Sequence, residues 1–212
     1  MCRVVKKWTT THDAQLIELY AYLESAGSIA LRSELSLEDL DEVQLVMWSD
    51  ADWAGDPDGI KSTFGLLLEF ANPTNERGWL ISWAVRRQTS ISSSTGEAET
   101  VALCCAAKHE GIPTMILLDA LLQNARSPIE SIGKVVNTQA IIAIHKGYSK
   151  KLKYIERTHK CSIGSVHEFI ESGQLCVDYA ATLARRGGGF TKCLNPLAKF
   201  VETRKMMSLI ST

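Results

Sequence analysis

Trp48-Ser49-Asp50-Ala51-Asp52-Trp53-Ala54-Gly55-Asp56 is the stretch whose reading decides the fold. It continues Val43-Gln44-Leu45-Val46-Met47, an apolar and β-branched run that predicts a strand. Asp50 and Asp52 stand at i and i+2, so an extended chain points both carboxylates to one face of a sheet. Gly55-Asp56-Pro57-Asp58-Gly59 then predicts a turn. Carboxylates at a strand end beside a turn suit a cation; a loop-capping Asx turn is the plainer alternative.

Outward from this strand, residues 43–50, 64–70 and 79–85 read as three sequential strands with short connections, an antiparallel meander. In the third, Trp79, Ile81, Trp83 and Val85 alternate with Leu80, Ser82 and Ala84. Ser94-Thr95-Gly96-Glu97 is a capping box that opens a helix. On it Glu99 shares a face with Ala102 and Ala106, and small neighbours let that face approach the sheet near Asp50. The plainer reading makes Glu97 the cap and Glu99 an exposed helix acid. Gly111-Ile112-Pro113 kinks or restarts the helix.

Residues 132–137 predict a fourth strand, 138–144 a helix, 163–170 another helix, 174–179 a fifth strand and 196–209 a last helix. This order implies a parallel extension of the meander by right-handed crossover. The expected fold class is α/β: a five-stranded mixed sheet, three strands antiparallel and two parallel, with helices on both faces. Ahead of it, residues 13–22 predict a short helix whose Leu16, Leu19, Tyr20 and Leu23 stripe packs on a core. Residues 33–42 are acidic and read as a solvated turn or linker.

The 212 residues suit one domain or one domain with an appendage, and 45% hydrophobic content supports a real core. Net charge is −1, so no global basic field advertises nucleic acid. No apolar run reaches the length of a membrane span, so no membrane partner is expected. Residues 1–11 are polar and basic with no apolar core of a signal peptide, which points to an intracellular protein; Asp13 and Glu18 speak against an organelle presequence. The six cysteines show no CxxC spacing, and reduced, buried thiols are expected rather than disulfides or zinc. Residues 145–160 form the one basic cluster: Lys146, Lys150, Lys151, Lys153, Arg157 and Lys160, with Glu156 the only acid. The cluster is either a phosphate-contacting surface or a solvated helix face. Gly187-Gly188-Gly189 lacks the spacing of a phosphate-binding loop.

The motifs taken together resemble the ribonuclease H domain of copia-type LTR retrotransposon Pol polyproteins. The blocks that carry the resemblance are Ser49-Asp50-Ala51-Asp52-Trp53-Ala54-Gly55-Asp56, Lys61-Ser62-Thr63-Phe64-Gly65, Ile81-Ser82-Trp83-Ala84-Val85-Arg86-Arg87-Gln88 and Ser94-Thr95-Gly96-Glu97-Ala98-Glu99, in family order. The resemblance implies a ribonuclease H-like domain over residues 43–212. Residues 1–42 would then be a remnant of the polymerase connection, and no Y-x-D-D polymerase signature is present. It also implies hydrolysis of the RNA strand of RNA–DNA hybrids by two divalent ions, usually Mg²⁺, held by four carboxylates.

Carried over position by position, the first acid falls on Asp50 and the second on Glu99. The third falls in Val135-Val136-Asn137-Thr138-Gln139-Ala140-Ile141, where Val136 stands at the acid position. The fourth falls in Gly187-Gly188-Gly189-Phe190-Thr191-Lys192, where Gly188 stands at the acid position. Asp52 is the nearest substitute ligand. The expectation is a catalytically impaired domain that does not bind Mg²⁺ as a two-ion site. The alternatives are a binding module for RNA or RNA–DNA hybrid, and a non-catalytic structural subunit of a larger assembly.

Overall fold

The computed structural model describes residues 7–55, 59–75, 77–122, 130–181, 187–191 and 197–211. Asp56, Pro57 and Asp58 of the expected turn lie outside the described residues, as do Arg185, Arg186, Lys192 and the expected helix start at Pro196.

The elements in chain order are α1 (Thr10–Ser25), β1 (Ile29–Leu31), β2 (Gln44–Asp52), β3 (Thr63–Ala71), β4 (Gly78–Arg87), α2 (Thr95–Ala106), α3 (Ile112–Leu122), β5 (Ser131–Val135), α4 (Thr138–His145), α5 (Ile155–Thr158), α6 (Ile163–Glu171), β6 (Leu175–Tyr179), α7 (Leu197–Met206) and β7 (Leu209–Ser211). Five strands form one sheet in the order β4-β3-β2-β5-β6. β2 pairs antiparallel with β3 from Gln44↔Ala71 to Asp52↔Thr63, and β3 pairs antiparallel with β4. β2 pairs parallel with β5 from Leu45↔Ser131 to Trp48↔Lys134, and β5 pairs parallel with β6. This is the α/β mixed sheet expected of a ribonuclease H-like domain: a three-stranded meander extended by two parallel strands through helical crossovers.

The pleat of β2 sorts its side chains between two faces. Leu45, Met47 and Ala51 join Leu66 and Leu68 of β3 in one buried cluster with Ala98, Val101, Ala102 and Leu103 of α2. Residues of α4 and α6 complete that cluster, among them Ala143, Ile144, Ile163 and Val166. Trp48 and Asp50 alternate with these and point to the other face, where the Trp48 indole donates to the Glu69 carboxylate at 2.7 Å. The turn Gly187–Phe190 packs on β2 and β3, and α7 packs on that turn. A Cβ at Gly189 would lie 2.5 Å from Thr203 and Met207, so only glycine admits this approach.

Residues 33–42 take the turn form of the expected solvated turn or linker: Leu37–Asp41 is a 3-10 turn and the stretch is largely exposed, but Asp39 is buried. Its carboxylate accepts the Ser36 N–H at 2.8 Å and the side-chain amides of Asn72 at 3.0 Å and Asn75 at 2.5 Å. The backbone N–H of Ser36 is the leading reason its carboxyl lies well below the usual carboxylate range. The stripe of α1 does not enter a core: no residue of α1 is buried, and Tyr20 and Leu23 are exposed. Its tie to the rest includes an edge contact between the Tyr22 and Phe200 rings, while β1 pairs with β7 just beyond it. The expectation about membrane-length segments also changes. Thr95–Leu121 is one helical run, long and apolar enough to cross a membrane. Its first half is a core helix against the sheet, whereas Ile116, Leu117 and Leu121 are exposed.

The restart expected at Gly111-Ile112-Pro113 takes the form of a π-helical turn, Ala107–Gly111, which lets the helix run on through Pro113. In β4 a bulge opposite Leu68 and Glu69 breaks the simple alternation, because Leu80 pairs with Glu69 and Ser82 with Leu68, leaving Ile81 extra.

Leu66 is wholly buried at the centre of the cluster, while Leu117 is mostly exposed. Leu66→Ala should therefore cost about 2–5 kcal/mol in urea-denaturation free energy. Leu117→Ala should stay within about 0.5 kcal/mol of the parent in the same measurement.

Candidate functional site

Asp50 sits near the C-terminal end of β2 and is 0% exposed. Its carboxylate accepts a hydrogen bond from the Thr191 hydroxyl, which follows the Gly187–Phe190 turn. Thr191 also returns its backbone N–H to the Gly188 carbonyl at 3.4 Å. Gly188 is thus held in the same short turn that reaches Asp50.

The parallel pairing of β2 with β5 places the third position. The last pair is Trp48↔Lys134, and the same register carried two residues further sets Asp50 level with Val136. Directly after Val136, Asn137 caps α4, its side-chain oxygen accepting from the N–H groups of Gln139 and Ala140 at 2.9 and 3.2 Å.

Glu99 comes to this corner on α2. A Cβ at Gly96 would meet the Gln139 side chain at 2.9 Å, so the first turn of α2 abuts the Asn137 cap. Glu99 lies three residues along, on the same helix face, and is 2% exposed. The structure thus joins Asp50 to the Gly188 turn through Thr191, and sets the first turn of α2, which leads to Glu99, against the cap that follows Val136.

Asp52 behaves differently. It is half-buried, and its carboxylate folds over its own turn: a Cβ at Gly55 would fall 1.6 Å from Asp52 Oδ2. Glycine at 55 is what makes room for it.

Glu97 is the cap expected from the sequence and the centre of a polar cluster in which Glu97 and His159 are buried and Ser93 and Tyr154 exposed. Its N–H donates to the Ser94 hydroxyl at 3.2 Å. Its carboxylate accepts the Ser93 N–H at 2.8 Å, the Ser93 hydroxyl at 2.5 Å and the Tyr154 hydroxyl at 2.6 Å. His159 Nε2 lies 3.3 Å from Glu97 Oε1, with both side chains fully buried. Burial pushes the Glu97 carboxyl up, but the bonds from Ser93 and Tyr154 outweigh it and hold the group below its ordinary value. Burial drives the His159 imidazole below its ordinary value, against the opposing pull of Glu97. Tyr154 is raised by its bond to Glu97. Neither Tyr154 nor His159 stood out in the sequence. Thr191 did lie in a motif block, Phe190-Thr191-Lys192, and that was the available signal for it.

All six basic residues, Lys146, Lys150, Lys151, Lys153, Arg157 and Lys160, are exposed. Lys150 and Lys153 border a cavity of about 330 Å³ that reaches Cys161 and the start of α6. Lys146, Lys150 and Lys151 border another of about 360 Å³ along α4.

The donor set does not fit two divalent ions. Valine offers no ligand, glycine only its backbone, and one oxygen of Asp50 already accepts from Thr191. Among the described residues, no three His, Cys, Asp or Glu side chains converge as a metal-binding group.

No family model matches the sequence. A protein described as secreted RxLR effector protein 161, from Plasmopara viticola, is 32% identical over 93 residues, covering 44% of this chain and 58% of that protein. The chain thus spans little more than half the length of this relative. Among solved structures, the N-terminal RNase H domain of rv2228c from Mycobacterium tuberculosis, a fusion with maltose binding protein, aligns over 77% of this chain and 97% of that one, at TM-score 0.43 and 8% identity. LC11-RNase H1 in complex with RNA/DNA hybrid aligns over 69% of this chain and 93% of its own, at TM-score 0.41 and 13% identity.

The His159 shift gives stability a pH dependence. The unfolded chain takes up a proton at the ordinary histidine value of 6.5, and the folded chain resists it to lower pH. The contribution of His159 is therefore full above about pH 6.5 and declines as pH falls below it. In urea midpoints measured between about pH 3.5 and 8, His159→Gln should flatten this limb. The later decline from Glu97, which begins as pH approaches its ordinary 4.5, should remain.

Proposed function

We propose that this chain is a retrotransposon-derived ribonuclease H-like domain that has lost the hydrolytic activity implied by its motifs. One observation supports the reading: Thr191 ties Asp50 to the Gly188 turn, and of positions 50, 99, 136 and 188 only Asp50 and Glu99 bear carboxylates. Two dications a few ångströms apart repel strongly, and several anions must offset them. With Val136 and Gly188 at the other positions, half of that charge would stay uncompensated by carboxylates.

Mg²⁺ or Mn²⁺ supplied with a labelled RNA–DNA hybrid provides the test. The chain as given should leave the RNA strand intact, whereas a Val136→Asp, Gly188→Asp double variant should cleave it, and adding Asp50→Asn should abolish that cleavage. Cleavage by the unaltered chain that Asp50→Asn removes would overturn the reading.

Binding without cleavage is a second reading, supported by the exposure of the six basic residues and by the cavities that four of them border. It identifies RNA or RNA–DNA hybrid as the partner through phosphate contacts. Affinity should fall with salt, and Lys150→Ala with Lys153→Ala should reduce the slope of log K against log[salt] by about 1–2. A fluorescence-anisotropy titration across salt concentrations measures it. Membership of a larger assembly draws support from the exposed apolar residues of α1 and α3, such as Tyr20, Leu23, Ile116 and Leu121.

A further inference from the structure

Cys105 and Cys161 are 56 positions apart in the chain, yet their sulfurs lie 3.3 Å from each other. Cys105 is the penultimate residue of α2, and Cys161 precedes α6. Their exposures differ: Cys105 is half-buried and reachable from solvent, while Cys161 is 3% exposed behind it. Disulfide formation asks the sulfurs to close by roughly 1.3 Å, to the ~2.05 Å of an S–S bond.

The chemistry of the two thiols is also unequal. The hydrogen bond from Cys161 is the leading effect that lowers the Cys105 thiol, and the charges of Arg86 and Lys108 add to it. The same contact, together with burial, pushes Cys161 up. Cys104, adjacent in sequence, is pushed up to about 12 by burial and is 2% exposed. One thiol of the cluster is thus accessible and inclined to ionise, with a protonated thiol waiting at contact distance. This is the arrangement of an attacking and a resolving cysteine.

We propose that Cys105 and Cys161 form a peroxide-responsive, reversible disulfide. The Cys105 thiolate attacks one peroxide oxygen, the O–O bond breaks, and Cys105 becomes a sulfenic acid as hydroxide leaves and is protonated to water. The Cys161 sulfur then attacks the Cys105 sulfur, the S–O bond breaks, and the departing hydroxide takes the Cys161 proton as a second water. Two thiols are oxidised and one peroxide is reduced to two waters. The bridge ties the end of α2, the helix of Glu99, to the segment that carries His159 and Lys160. The redox state of the pair thereby sets how firmly the basic stretch is held against that helix.

The test uses the full chain, reduced, freed of reductant and treated with a few equivalents of hydrogen peroxide. Remaining thiols are then alkylated and the protein is mapped by mass spectrometry without reduction. The expected product is a linked pair of peptides joined through Cys105 and Cys161, still formed in Cys104→Ser and lost on adding dithiothreitol. Cys161→Ser should stall as a sulfenic acid on Cys105, trapped by dimedone, and Cys105→Ser should leave Cys161 as a free thiol. Circular dichroism of the reduced variants establishes that they are folded. The proposal is overturned if both thiols of the parent chain still alkylate after peroxide, if Cys105 pairs with Cys104 instead, or if Cys161 oxidises equally in Cys105→Ser.

Discussion

β2 is paired along its length with β3 and over its first half with β5, and the architecture at the site follows from that double pairing. One register sets which side chains of β2 enter the core with α2; the other sets Asp50 level with Val136. A slip of one residue would exchange the faces, sending Met47 to the wrong side and Asp50 into the apolar cluster. Asp50 is wholly buried, and a buried carboxylate is costly unless hydrogen bonds offset the loss of water. The Thr191 hydroxyl supplies one such bond and so anchors the Gly187–Phe190 turn on the sheet. α7 packs on that turn, β7 follows α7, and β1 pairs with β7. The burial of one carboxylate is therefore linked, contact by contact, to the joining of the two ends of the described chain.

Four carboxylates gathered without cations would repel one another and raise one another's affinity for protons. Valine at 136 and glycine at 188 leave fewer charges to repel, and the Asp50 carboxylate takes its bond from the Thr191 hydroxyl. The nearby acid Glu97 is committed elsewhere, to Ser93, Tyr154 and His159. The Asp52 carboxylate lies over its own turn at Gly55.

Much of this was legible from local signals. The period-2 runs around Trp48, Leu66 and Trp83 are strands, and the capping box at Ser94 opens α2, because pattern and cap chemistry act within a few residues. The ordered motif blocks marked positions 50 and 188, which Thr191 ties together in the fold. What sequence could not supply is long-range pairing. The burial of Asp39 within the otherwise largely exposed stretch 33–42 was not legible, because its partners, Asn72 and Asn75, come from the loop between β3 and β4. The stripe of α1 looked like a core face because amphipathic spacing does not say whether a partner surface exists. The contact between Cys105 and Cys161 and the cluster around Glu97 are likewise products of tertiary packing, with no spacing rule to announce them.

Counting bound Mn²⁺ by electron paramagnetic resonance, in the chain as given and in the Val136→Asp, Gly188→Asp variant, tests the central claim most directly. It reads the metal site itself rather than turnover. The account predicts a spin-coupled pair of ions only in the restored variant. A coupled pair in the unaltered chain would contradict it, because ligands other than the carboxylates at these positions would then be completing the cage.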